Sequence, residues 1–238
     1  MDPRVVAVLA TTLVVGAAVQ GLVGLGLGLL AAPMAMLLQP QLMPDLVLWL
    51  IMVFPLVTLA RERQEIDWRG LRWSIGARIP GTAAGVAIVT AVSVEVLGVV
   101  VGLIVLVSVL LTWRAVVIPV NRGTLVAAGL TSGITGTATS IGGPPLAILL
   151  QHRTPRQIRT TLAVYFMVGG ALSLVGLYLT GRGEPSALLV AVALLPFLAV
   201  GLLVARVLRG MVPREQVRLA MLAVCALSAV VLIARSIS

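Results

Sequence analysis

Apolar residues fall in eight long runs along this chain: 4–38, 46–60, 71–91, 96–118, 124–150, 158–180, 185–205 and 217–234. Short polar segments separate them. A helix needs about 20 apolar residues to cross a bilayer, so the pattern predicts an all-α polytopic membrane protein. The runs 4–38 and 124–150 are too long for one span. Each is either one broken crossing or a hairpin of two short helices.

The same two runs carry a repeat. Residues 20–39 (QGLVGLGLGLLAAPMAMLLQ) and 132–151 (SGITGTATSIGGPPLAILLQ) align without a gap at an offset of 112. They share Gly21/Gly133, Gly24/Gly136, Pro33/Pro145, Ala35/Ala147, Leu37/Leu149, Leu38/Leu150 and Gln39/Gln151. Leu and Ala pairs recur easily in an apolar chain; Gly, Pro and Gln in one register do not. A Pro-x4-Gly pattern also recurs, as Pro80–Gly85 and Pro196–Gly201. The chain therefore reads as two membrane repeats, 1–118 and 119–238. Interrupted apolar segments at matching points of two halves point to a transporter's binding site.

Charge decides between crossing and hairpin. All 17 basic residues are Arg. Segments 61–72 and 206–218 carry four each, 151–159 three and 114–122 two, whereas 39–45 and 92–95 carry none and 181–184 one. Basic residues collect in cytoplasmic loops. If 124–150 is a hairpin, every Arg-rich loop lies on one side. The halves then run in opposite senses. This predicts two inverted-topology repeats, each a broken-helix hairpin plus three transmembrane helices, with both chain ends outside. Eight single crossings would instead leave 151–159 on the wrong side.

Composition agrees. The chain is 60% hydrophobic and 11% charged, where a soluble domain is about a quarter charged. The net charge of +9 is then a topology signal and implies no nucleic-acid partner. The lone Cys225 forms no internal disulfide. The N-terminal apolar run continues into the first glycine stretch, so it reads as a membrane segment rather than a cleaved signal.

Backbone exposed at membrane depth must be buried in protein or line a wet cavity. In the second stretch Gly133, Gly136, Gly142 and Gly143 lead into Pro144 and Pro145, and Pro suits the first turn of a helix. A helix is expected near Pro144, with Ser140 as its cap and its first amides facing an anion. Thr131, Ser132, Thr135, Thr137, Thr139 and Ser140 add hydroxyls. In the first stretch the break falls around Gly21, Gly24, Gly26 and Gly28, with Gln20 as the polar group and Pro33 opening the next helix. The expected binding residues are Gln20, Gly21, Gly24, Arg78, Ser132, Gly133, Thr135, Gly136, Thr139, Ser140, Gly142, Gly143 and Pro144. The competing reading is plain packing, because small residues let membrane helices approach closely.

Arg78 lies inside an apolar run. It either balances an anion or snorkels to the surface. Glu95 reads as a solvated turn residue, and Asp45 as a helix N-cap. His152, the one histidine, lacks the partners a metal would need. Arg153, Arg156 and Arg159 read as topology markers. Pro55 and Pro196 are expected to kink their helices. Trp49, Trp68, Trp73 and Trp113 lie near run ends, as interfacial anchors do. There is no P-loop, no carboxylate cluster and no Ser-His pairing within the membrane runs, so neither an enzyme nor a cofactor is expected.

The stretch SGITGTATSIGGPPLAILL, with the two-half organisation and Arg-marked loops, resembles the sulfite exporter TauE/SafE family of membrane permeases. The resemblance covers essentially the whole chain. The first stretch alternates Leu with Gly and has Ala32 where the second has Pro144. The resemblance implies transport of small sulfur oxyanions or organosulfonates. The resulting expectation is a secondary transporter of such an anion, sulfite for example, in the inner (plasma) membrane. Its central site would be formed by the two glycine-rich breaks. Its partners would be the anion and the lipid bilayer, with a homo-oligomer left open. A channel-like permease or a non-transporting scaffold subunit is the alternative.

Overall fold

In the computed structural model, which describes residues 2–24, 26–113 and 118–237, the apolar runs are helices. The elements are α1 (Pro3–Val23), α2 (Leu27–Leu38), α3 (Asp45–Arg61), α4 (Trp68–Ala91), α5 (Val94–Trp113), α6 (Arg122–Thr139), α7 (Pro144–Leu150), α8 (Pro155–Leu179), α9 (Pro185–Leu208) and α10 (Arg214–Ile237), with a 3-10 turn at Pro40–Leu42. Five helices are long and apolar enough to span a membrane: Pro3–Val23, Val94–Trp113, Arg156–Leu179, Pro185–Leu208 and Glu215–Ile237. The chain is an all-α polytopic membrane protein. Leu25, in the first break, and residues 114–117 of the polar segment 114–122 lie outside the described residues.

Both long runs break where the glycines stand, and in each the chain folds back. Helix α1 ends at Gly24 (φ +95°), and Gly26 (φ +144°) precedes α2. Gly16 then faces Leu27, and Gly26 faces Val19, so the two helices are antiparallel. Helix α6 starts from a capping box, with Asn121 Oδ1 accepting the Thr124 N–H at 2.9 Å. It ends at Ser140 (φ +61°), and Gly142 returns against Gly136.

Two expectations about these breaks need correction. Pro33 does not open the second helix; it lies inside α2, which begins six residues earlier. The Gln20 side chain satisfies the Leu27 amide at the helix start, which removes the need for proline there. Ser140 does not cap α7 either. It is the left-handed C-terminal residue of α6, and Gly143 precedes α7 without a side-chain cap.

Residues pack into two compact units. One comprises 1–47, 94–109 and 184–238. In it α1 packs on α2 and α9, and α10 on α2. Val14 and Ala17 of α1 meet Gly201, and Gly21 meets Ala205, so α1 and α9 run parallel. Gly98 and Gly102 let α5 close onto Ser236 and Ile233 of α10.

The other unit comprises 48–93 and 110–183. Its dominant contact is α4 against α6, with α8 packed on both. Ser74, Arg78 and Gly85 meet Gly129, Gly133 and Ile134 in that order, so α4 and α6 are also parallel. Leu71, Leu125, Leu146, Leu150, Leu162 and Tyr165 form its main core, and Leu48, Val86, Leu174 and Leu177 a second one. Neither unit follows the sequence halves. In each, the first helix of a hairpin lies against the Pro-x4-Gly helix of the opposite half.

Candidate functional site

The second break supplies the buried polar residues Ser132, Thr137, Thr139 and Ser140. Helix α6 presents Gly129, Gly133 and Gly136 at helical spacing, and the three do different work. A Cβ on Gly133 would lie 2.7 Å from the Arg78 carbonyl oxygen and 2.8 Å from the Thr82 nitrogen. Gly129 abuts the Ser74 carbonyl in the same way. These two are packing glycines: only hydrogen fits between the backbones. Gly136 faces Arg78 Nη2 instead, at 2.8 Å from the position of a Cβ, and Gly142 beyond it.

Arg78 is the centre of this arrangement. It is only 2% exposed, so it does not snorkel. Its Nη1 donates to Ser132 Oγ at 3.2 Å, and Ser132 Oγ in turn donates to the Gly142 carbonyl. The guanidinium carbon lies 4.6 Å from the centre of the Tyr165 ring. Gly169, one turn further along α8, leaves room for it, since a Cβ there would overlap the guanidinium. Nε is buried with no hydrogen-bond partner. Among the described residues the ion pairs are Arg156–Glu65, Arg159–Glu62 and Arg218–Glu215, and none includes Arg78. A buried cation with no carboxylate beside it is costly and suits an anion brought from outside.

The hydroxyls around it are not equivalent. Thr139 Oγ1 donates to the Thr135 carbonyl at 2.7 Å and accepts from the Ile141 N–H at 3.3 Å, closing the end of α6. Thr137 pairs with Ser173 of α8 at 2.8 Å. Thr131 is exposed and bonds to its own helix. Thr135 Oγ1 is buried without a partner. So are Thr82 Oγ1, one turn beyond Arg78 on α4, and Tyr165 Oη.

Amide donors at the start of α7 are scarcer than the sequence suggested. Pro144 and Pro145 are its first two residues and carry no N–H. The Ala147 amide returns to the Gly143 carbonyl at 3.1 Å. The helix has seven residues and only a small dipole.

The first break is built differently. Gln20 Oε1 accepts the Leu27 N–H at 2.9 Å, so its carbonyl end serves the backbone of its own hairpin. Gly21 packs against Ala205, and its carbonyl accepts from Arg209 Nη2 at 3.3 Å. Gly24 faces open space, while Gly26 sits against Met221 and Val19.

The remaining candidates resolve as follows. Asp45 does not act as an N-cap. It is the buried first residue of α3, and its Oδ2 accepts the Glu184 backbone N–H at 2.5 Å. Glu95 lies in the first turn of α5 and is exposed, as is His152. Trp73 stacks with Arg72 and Arg122 at 5.4 and 5.3 Å. Tyr165, Thr82 and Gly169 were missed in the sequence reading. The available signals were a rare Tyr inside an apolar run, a Thr one turn after the intramembrane Arg, and a Gly-Gly pair at 169–170.

Helical hairpins broken at glycine, with an arginine buried beside one break, define a polytopic membrane protein. The profile of the sulfite exporter TauE/SafE family matches residues 8–232, and the chain belongs to that family. It is a family of membrane permeases for sulfur compounds. No curated protein and no solved structure matches the chain.

Proposed function

We propose that this protein is a secondary transporter that moves a small sulfur oxyanion or organosulfonate, sulfite for example, across the plasma (inner) membrane. The carrying observation is Arg78, buried, lacking a carboxylate partner and keeping a free Nε. The anion's contacts are assigned to Arg78, Thr135, Thr82 and Tyr165, with Ser132 and Gly142 holding the guanidinium in place. Gly136 and Gly169 provide the clearance. The first break contributes chain reversal and packing rather than hydrogen bonds. The two sequence repeats are taken as inverted.

The test is flux in proteoliposomes holding the purified protein alone, with labelled sulfite, a sulfonate and sulfate. Saturable uptake of sulfite or the sulfonate is expected, and no movement of any anion would sink the reading. Thr135→Val removes one hydrogen bond to a charged ligand, worth about 1.5–3 kcal/mol. The expected result is a KM raised by about 10- to 100-fold, while Thr131→Val, at an exposed hydroxyl, leaves KM unchanged. The topology has its own check. Single cysteines at positions 155 and 182 should label from opposite sides of the membrane; labelling from one side would refute the inverted arrangement.

A further inference from the structure

The charge count at the Arg78 site selects the valence of its ligand. Among the described residues Arg78 is the one buried cation, and the one buried carboxylate, Asp45, belongs to the other compact unit. The interior around the second break therefore carries one uncompensated positive charge. Five buried hydrogen-bonding side-chain atoms in the same unit have no partner: Trp49 Nε1, Arg78 Nε, Thr82 Oγ1, Thr135 Oγ1 and Tyr165 Oη. Two are N–H donors and three are hydroxyls, so all five can donate to oxygen. None adds a formal charge. The second break lacks a long helix start that could supply more positive potential, because α7 has seven residues and begins with two prolines.

From this we infer that the site takes a singly charged oxyanion and discriminates against doubly charged ones; this rests on the anion-transport reading above. A monoanion neutralises the guanidinium and accepts from the orphaned donors. A dianion leaves one buried negative charge unbalanced, and an uncompensated buried charge is strongly destabilising. For sulfite, which exchanges its last proton near neutral pH, the transported form is then the hydrogen sulfite ion. Sulfonates already carry a single charge and need no proton.

The experiment uses the wild-type protein in proteoliposomes, with protein-free vesicles subtracted to remove diffusion of neutral sulfur dioxide. Sulfite uptake is measured from pH 6 to pH 9. Chlorate and sulfate serve as competitors. Chlorate is a pyramidal trioxoanion like sulfite, but carries one charge at every pH used; sulfate carries two. Uptake at a fixed subsaturating total sulfite is expected to follow the monoprotonated fraction, falling about tenfold per pH unit on the alkaline side. Chlorate should compete with hydrogen sulfite equally well at all pH values. Sulfate should compete at least roughly 100-fold less well. Sulfite uptake that is flat or rises with pH would overturn the inference while leaving anion transport standing. So would competition by sulfate as strong as that by chlorate, or a failure of chlorate to compete. Absence of flux for sulfite, the sulfonate and sulfate alike would overturn the transport reading itself.

Discussion

Arg78→Gln should lower anion flux by at least about 100-fold while leaving the thermal stability of the purified protein little changed. Truncating one partner of a buried charge pair costs about 2–5 kcal/mol, and the anion would lose its only formal counter-charge. The folded protein without ligand loses the Ser132 contact and the stacking on Tyr165, which favour the arginine. It also loses an uncompensated buried charge, which opposes it. These terms have opposite signs and similar size, so the melting temperature moves little. A purely structural arginine would behave the other way round, with a large loss of stability and flux reduced only through loss of folded protein. Arg78→Lys sharpens the distinction. It keeps the charge but not the planar fork or the stacking geometry, so flux should fall between wild type and Arg78→Gln. Equal flux in wild type and Arg78→Gln would remove the arginine from the mechanism.

Gly133→Leu should prevent folding, whereas Gly76→Leu on the facing helix should be tolerated. A Cβ at 133 meets three backbone atoms of α4 between 2.7 and 2.8 Å, and backbone cannot rotate aside. Relief requires α4 and α6 to separate, and that pair is the main contact of its unit. Even Gly133→Ala should cost about 1–3 kcal/mol, the usual range for overpacking. Gly76 has open space where its Cβ would stand. Monodispersity and melting temperature in detergent are the readouts. A well-folded Gly133→Leu would show that the two helices are not held at backbone contact.

These two positions also mark where sequence reasoning reached and where it stopped. The two breaks were legible because glycine runs and Arg-poor or Arg-rich loops are local signals. Their outcome appears as chain reversal at Gly24–Gly26 and at Ser140–Gly143. The helix starts after them were only half legible. Pro145 opens α7 with Pro144, but its counterpart Pro33 is interior to α2, because Gln20 reaches across the turn to the Leu27 amide. A side chain seven residues away decides that boundary, and no local preference encodes it.

Likewise, the stretch 132–143 offered four glycines and five hydroxyls as equal candidates. Distances between helices separate them. Gly133 is consumed by packing, Thr137 by Ser173 and Thr139 by its own helix end. Thr135 is left unpaired, along with Tyr165 and Thr82, which lie far off in sequence.

By itself the sequence determined the class: a helical, multi-pass membrane protein with two glycine-broken hairpins and an arginine placed inside an apolar run. Hydropathy, backbone freedom at glycine and the asymmetry of arginines act within one segment at a time, so they can be read from order alone. Tertiary structure decided that α4 closes on α6 and α1 on α9, pairing each hairpin with the opposite half. It also decided that Arg78 meets Ser132, Tyr165 and Gly169 but no carboxylate. Whether a buried polar group is satisfied depends on what distant segments bring within about 3 Å of it, and that is a property of packing, not of any one stretch of chain.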